Sequence, residues 1–157
     1  MATYHCSIKH GNGDKVLPHF DYINRQNKYD KKQDLIHTAS GNMPSCVLDA
    51  KEFWTKCAEK DKRAYREIEF ALPNELTREE QIQLVEEYIQ EVIPNNPYTY
   101  AIHEPESAIH GIKNPHVHLM FSERLLTEDV KDLDKETFFK KRGINRIGET
   151  YGGAIKD

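Results

Sequence analysis

Alternation of apolar and polar positions predicts four strands in this chain. Residues 3–10 place Tyr4, Cys6 and Ile8 on one face and His5, Ser7 and Lys9 on the other, the period of two expected of a half-buried strand. Residues 65–72 alternate up to Pro73, with Ile68, Phe70 and Leu72 toward a core and Glu67 and Glu69 together on the opposite face. Residues 98–103 and 116–121 are rich in β-branched and aromatic side chains, as strands are. In the first of these, Tyr98, Tyr100 and Ile102 share a face and His103 takes the other. In the second, Val117, Leu119 and Phe121 point to the core while His116 and His118 project together.

Helical spacing fills the gaps. After a turn or loop over Gly11-Asn12-Gly13-Asp14, a short helix from about Val16 or Pro18 to Gln26 carries Phe20, Tyr22 and Ile23. Residues 27–34 are polar and read as an exposed segment holding Tyr29. Ser40-Gly41-Asn42-Met43-Pro44 reads as loop. Phe53, Trp54, Cys57 and Ala58 recur at helical spacing over 49–60, with Trp54 as core anchor. Thr77-Arg78-Glu79-Glu80 has the form of a capping box and starts a helix with Ile82, Val85, Ile89 and Val92 on one stripe, ended by Pro94. Residues 135–142, with Phe138 and Phe139, form a last short helix, and Gly152-Gly153 predicts a flexible terminus.

The resulting order, β-α-α-β-α-β-β, predicts an α+β domain: an antiparallel sheet with helices on one face. The other face is expected to be open and lined by His103, His116, His118, Glu67 and Glu69, with Ser7 or Lys9 beside them.

At 157 residues the chain fits one domain with a real core. No apolar run reaches the 18 or so residues of a membrane span, and the N-terminus lacks the apolar run of a signal peptide. Cys6, Cys46 and Cys57 are odd in number and lack disulfide or ligand spacing, which fits a reducing cytoplasm. The net charge of −4 argues against broad DNA coating but leaves room for a local groove. Glu79, Glu80, Glu86, Glu87 and Glu91 on one helix supply much of that negative charge.

Residues two apart on a strand share a face about 7 Å apart. His116 and His118 therefore project as a pair, and His103 is in phase on the partner strand. Three neutral imidazoles with an open side suit a divalent ion that keeps room for substrate. A metal with carboxylates on an open sheet face suggests attack at phosphorus, by water or by a side chain. Tyr22 is a candidate nucleophile; a free phenol has a pKa near 10, so ionising it at neutral pH costs about 4 kcal/mol. A nearby carboxylate and a metal are the usual means of meeting that demand.

In order along the chain, Tyr4-His5, Asp21-Tyr22-Ile23 with Arg25 and Tyr29, Ser40-Gly41-Asn42-Met43-Pro44, Glu67-Ile68-Glu69-Phe70-Ala71-Leu72-Pro73 with Glu75-Leu76-Thr77, Tyr98-Thr99 to Ala101-Ile102-His103, and Asn114-Pro115-His116-Val117-His118-Leu119-Met120 with Ser122-Glu123-Arg124 are a specific set. Together they resemble the relaxase domain of MobA/MobL-family plasmid mobilisation proteins, which are HUH-type endonucleases. The resemblance implies a ferredoxin-like or palm-type sheet and a site- and strand-specific DNA nickase acting at an origin of transfer. It implies Tyr22 as the nucleophile that takes a 5′-phosphate, with His103, His116 and His118 as the metal triad. Glu67 matches the acidic residue that assists the tyrosine, and Glu69 shares its face as alternate. Mg²⁺ or Mn²⁺ is the family's usual metal, although three imidazoles also accept Zn²⁺, Ni²⁺ or Co²⁺.

The implied partner is single-stranded DNA at the origin, with accessory relaxosome proteins. Lys9, Arg25, Lys28, Lys140, Lys141, Arg142 and Arg146 are the candidate DNA contacts. The family's relaxase region usually continues past the point where this chain stops. Residues 1–157 are therefore read as one relaxase domain, with C-terminal regions expected to be lacking or the chain a short homologue.

Other readings differ in checkable ways. A histidine-triad nucleotide hydrolase wants a further histidine where Met120 stands. A rolling-circle replication initiator shares the HUH logic, but its tyrosine normally follows the histidine pair. A non-catalytic DNA-binding module with a structural zinc needs a fourth ligand, and none is evident.

Overall fold

The computed structural model describes residues 5–106 and 111–157. Five strands form one antiparallel sheet: β1 (Cys6–Asn12), β2 (Leu35–Gly41), β3 (Arg63–Ala71), β4 (Tyr98–His103) and β5 (His116–Phe121), in the order β1-β3-β5-β4-β2. The helices are α1 (Gly13–Ile23), α2 (Ala50–Lys60), α3 (Arg78–Val92) and α4 (Lys135–Phe139), and a small ribbon pairs β6 (Gly143–Ile144) with β7 (Thr150–Tyr151).

The α+β class and antiparallel sheet are as the pattern predicts, with one strand more. Residues 35–41 lack clean alternation, yet β2 pairs with β4 along the sheet edge, so the loop expected at residues 40–44 begins only at Asn42, whose φ of 53° turns the chain. The loop expected over 11–14 is also absent. β1 runs to Asn12 and α1 begins at Gly13, with Asn12 as its N-cap. The helix ends at Ile23 rather than Gln26.

Helices lie on both faces of the sheet. On one, Val85 and Ile89 of α3 pack with Ile68, Leu72, Tyr100, Ile102, Val117 and Leu119. Asp49 and Thr77 cap α2 and α3, each side chain accepting from a backbone N–H three residues on. The α3 stripe is shorter than its spacing suggests, because Val92 is 48% exposed. On the opposite face, Val16, Phe20 and Ile23 of α1 and Phe53, Trp54 and Cys57 of α2 cover Ala101, Met120 and Tyr65. Trp54 is fully buried, and its indole N–H donates to Thr99 Oγ1 at 2.9 Å. The histidine face is therefore covered over part of its length, and the site lies beside α1 rather than on an open sheet.

Two edge expectations change with this packing. Cys6 and Ile8 do share the α3 side of the sheet, opposite Phe70 and Ile68, but β1 is an edge strand beyond the reach of α3, and Ile8 is 70% exposed. Tyr4, expected to be inward, lies outside the described residues. The Gly152-Gly153 segment is packed, not free. Gly153 sits so close to Phe138 that a Cβ there would lie 1.9 Å from its carbonyl oxygen, and the next residue, Ala154, is buried.

Candidate active site

The register brings the histidines and carboxylates together. His116 pairs with His103 across β4–β5, and Glu69 pairs with His118 across β3–β5. One nitrogen from each of His103, His116 and His118 falls within 4.8 Å of the others. Glu67 stands two pairs further along β3, opposite Met120, yet its carboxylate reaches diagonally: Oε1 accepts from His118 Nδ1 at 2.9 Å. Glu69 lies 3.9 Å from the same nitrogen and faces outward to Lys9 at 3.7 Å and His5 at 3.9 Å. Of the two carboxylates, Glu67 is the one joined to the histidines.

Helix α1 lies over this group. The Tyr22 ring meets His118 edge-on at a centroid distance of 6.0 Å and His103 at 6.4 Å. Residues 27–33 are exposed as expected except Tyr29, which sits half-buried on the Tyr22 ring, edge-on at 5.3 Å. The turn Asn27–Tyr29, entered through positive φ at Arg25 and Asn27, folds it back. His19, one helical turn before Tyr22, is a further member the sequence reading missed. Its Nε2 lies 2.9 Å from Glu67 Oε1, and its ring stacks on Tyr65 at 4.8 Å and 9°. That stack needs Gly11 beneath Tyr65, since a Cβ there would fall 2.2 Å from the ring. The i, i+3 spacing from Tyr22 was the available signal.

Burial and partners set the charges. Burial works to raise the Glu67 pKa, but the hydrogen bond to His118 and the close approach of His19 outweigh it and hold the group at about 2. Glu67 is thus an ionised carboxylate already committed to two imidazoles. Burial pushes His103 down to about 4 and lowers His116 as well, so both are neutral near pH 7.

The donor set suits a divalent ion. His118 turns its Nδ1 to Glu67 and His116 gives its Nδ1–H to Asn114 O at 3.2 Å, which aims both Nε2 atoms toward each other. Those atoms lie 3.1 Å apart. That gap is short enough for both nitrogens to be ligands of one ion at about 2.1 Å. His103 is held differently: Nε2–H donates to Ile23 O at 2.7 Å, and Nδ1 accepts from Arg25 Nη2 at 3.1 Å.

The expected DNA contacts divide. Arg25 is no surface cation: its side chain is 5% exposed and its guanidinium pairs with Asp34. Lys9 is paired with Glu69. Lys28 is exposed and lies over the Tyr29 ring at 5.1 Å. Helix α4 stops at Phe139, so residues 140–146 run on toward the ribbon. Lys140 pairs with Glu136 and Arg142 with Asp129, while no carboxylate among the described residues is in ion-pair reach of Lys141 or Arg146. With Lys56, Lys60 and Lys156 this segment borders a groove of about 990 Å³ floored by Phe139 and Ile144. The groove lies by Asp61 and Arg124, at the end of β3 away from the histidines, about 20 Å off for six residues of strand.

Comparison with known proteins places the chain in a family. Residues 12–153 match the model of the MobA/MobL family. The chain is similar to a 43 kDa relaxation protein of Salmonella typhimurium, 45% identical over 90% of the chain and 39% of that relative. It is also similar to Mobilization protein A of Escherichia coli, 38% identical over 80% of the chain and 18% of that protein. The chain thus spans well under half the length of these relatives. A solved structure described under "Molecular Basis of Vancomycin Resistance Transfer in Staphylococcus aureus" shares the fold at a TM-score of 0.63 and 19% identity, over 94% of this chain and 81% of that one. The chain belongs to the MobA/MobL family.

Proposed function

We propose that this domain is a relaxase that nicks and rejoins one DNA strand at a plasmid origin of transfer, with Tyr22 as nucleophile. The observation that carries the reading is the edge-on packing of the Tyr22 ring on His103 and His118. The relatives' names, a relaxation protein and a mobilization protein, support it. No helix among the described residues is long and apolar enough to cross a membrane.

In the reaction, Tyr22 Oη attacks phosphorus and the P–O3′ bond breaks. The phenol proton is lost, the 3′ oxygen leaves and takes a proton, and the strand's 5′-phosphate remains on the tyrosine. Because one phosphoester replaces another, the step runs backward to rejoin the ends. A divalent ion such as Mg²⁺ or Mn²⁺, when bound, neutralises phosphate charge and polarises its oxygens. His116 and His118 would hold it through Nε2; His103, whose ring nitrogens are bonded to Ile23 O and Arg25, would join as the third imidazole only by giving up those bonds. Glu67 fixes the His118 tautomer and ring, the usual outer-shell role of a carboxylate on a ligand histidine. Its pKa of about 2 makes it a weak base for a phenol, so orientation accounts for Glu67 better than proton removal.

The strand's path is proposed to run past Lys28 and toward the groove lined by Lys141, with Arg146 two residues past its lining at Ile144, cations that can follow a phosphate backbone. Incubation with Mn²⁺ and pooled single-stranded origin oligonucleotides should give a covalent protein–DNA adduct; cleavage by water with no adduct contradicts the reading.

A further inference from the structure

Arg25 is held in a conformation that few residues with a Cβ adopt. Its φ is 50°, in the left-handed region, and it follows directly on the end of α1. It is also a buried cation. Outliers of this kind persist only where surrounding contacts over-determine them, and here the contacts are specific. Nε and Nη2 donate to the two oxygens of Asp34 at 2.7 and 2.9 Å, a bidentate pair that neutralises the charge. Nη1 donates to the backbone oxygen of Tyr22 at 3.0 Å. Nη2 also donates to His103 Nδ1 at 3.1 Å. The guanidinium carbon lies 4.7 Å from the centroid of the Tyr22 ring, over its face.

One planar group therefore touches the proposed nucleophile twice and a histidine of the proposed metal group once. Its fourth tie, through Asp34, reaches the residue just before β2. Because a guanidinium only donates, His103 Nδ1 must be the accepting nitrogen, and Ile23 O takes the proton on Nε2. In the metal-free chain this arrangement fixes the ring of His103 and engages both of its nitrogens.

We propose that Arg25 is a positioning residue: it ties the backbone and ring of Tyr22 to Asp34 beside His103, setting the orientation of the nucleophile toward the histidine group, and it does not contact DNA. The inference rests on the nicking reading above. A buried, neutralised guanidinium cannot take a backbone phosphate, so Arg25 acts on the chemical step and not on strand affinity. Lysine cannot replace it, since an ammonium has neither the planar fork nor the fixed geometry that meets Asp34 and His103 at once.

The test uses Arg25→Lys and Arg25→Gln with two readouts. The first is single-turnover adduct formation with Mn²⁺ across oligonucleotide concentrations. The expected result is a fall in the maximal rate of at least about tenfold, the scale of outer-shell losses, with half-saturating oligonucleotide changed less than about twofold. Weaker oligonucleotide binding at an unchanged maximal rate would overturn the proposal and return Arg25 to a DNA contact. Native values of both in Arg25→Lys would overturn it too.

The second readout needs neither metal nor DNA. Long-range ¹H–¹⁵N spectra of histidine-labelled protein should show His103 as the Nε2–H tautomer accepting at Nδ1, with that pattern altered in Arg25→Gln; unchanged His103 signals contradict the link. If the native chain forms no adduct, the nicking reading fails and this spectrum alone decides whether Arg25 sets His103. Should Arg25→Gln not melt cooperatively, Asp34→Asn, which keeps the guanidinium but loosens its hold, is expected to show the same rate loss without loss of oligonucleotide affinity, and native behaviour there counts against the proposal.

Discussion

Glu67 and His118 are joined by a 2.9 Å hydrogen bond, Nδ1 to Oε1, although the two residues are not partners in the β3–β5 register. The bond turns His118 Nε2 toward His116. If orientation is the role of Glu67, Glu67→Gln keeps an acceptor for the Nδ1–H but removes the charge. Mn²⁺ affinity should fall about 10- to 100-fold, and adduct formation should return to within tenfold of native at saturating Mn²⁺. A rate still depressed by about 10²–10⁴ at saturating metal identifies Glu67 as a general base instead. Glu69→Gln, whose carboxylate lies 3.9 Å from His118 Nδ1 and makes no hydrogen bond to it, should stay near native in both.

The histidine pair gives a second expectation. His118→Ala should lower Mn²⁺ affinity and abolish adduct formation while cooperative unfolding persists. Isothermal titration with Mn²⁺ checks it, and unchanged stoichiometry and affinity would remove His118 from the metal group. Bound metal should also raise the melting temperature of the native chain, because the ion favours the folded state.

Acid should weaken the metal-free fold in two stages. His103 has a folded pKa of about 4 against 6.5, and Glu67 about 2 against 4.5. Both folded values are depressed, so in each case the unfolded chain takes up protons first as pH falls. Stability from His103 is present above pH 6.5 and lost down to about 4; that from Glu67 is present above 4.5 and lost down to about 2. Urea midpoints should therefore drop between pH 7 and 4, and His103→Gln should flatten that upper part of the curve. A flat native profile over that range contradicts the depressed His103.

Much of this site was legible from strand phase. His103, His116 and His118 were placed on one face by alternation, and Glu67 and Glu69 on the same face by the same rule, because side-chain direction along a strand is fixed by the backbone. The covering of that face was not legible. Alternation says which side chains share a face but not which helix packs on it, so α1 and α2 over Met120 and Ala101 came from tertiary packing alone. β2 was hidden because an edge strand needs no continuous apolar face. Arg25 shows a further limit: an arginine in a polar stretch reads as a surface cation, and only the fold reveals Asp34, Tyr22 and His103 around it. Tyr29 was misread in the same way, since positive φ at Arg25 and Asn27 is invisible in the residue types.

The proposed DNA path makes a salt-dependent prediction. Replacing Lys141 and Arg146 together with glutamine should weaken oligonucleotide binding at every sequence tested. It should also lower the slope of log affinity against log salt by about 1.4, at 0.7 per phosphate contact on a single strand. An unchanged slope would take the 140–146 segment off the path.

The central claim is that Tyr22 becomes covalently bonded to DNA. Tyr29, packed on the same ring at 5.3 Å, is the competitor any test must separate. Removing the Tyr22 hydroxyl leaves the His116–His118 pair and its Glu67 bond untouched, so metal and strand binding should survive. The measurement is the protein–oligonucleotide adduct formed with Mn²⁺, resolved by gel shift and mapped by peptide mass spectrometry, in native, Tyr22→Phe and Tyr29→Phe chains. The account predicts an adduct on Tyr22 in the native and Tyr29→Phe proteins, and none in Tyr22→Phe although it still binds the strand. An adduct mapped to Tyr29, or strand cleavage that persists in Tyr22→Phe, would contradict it.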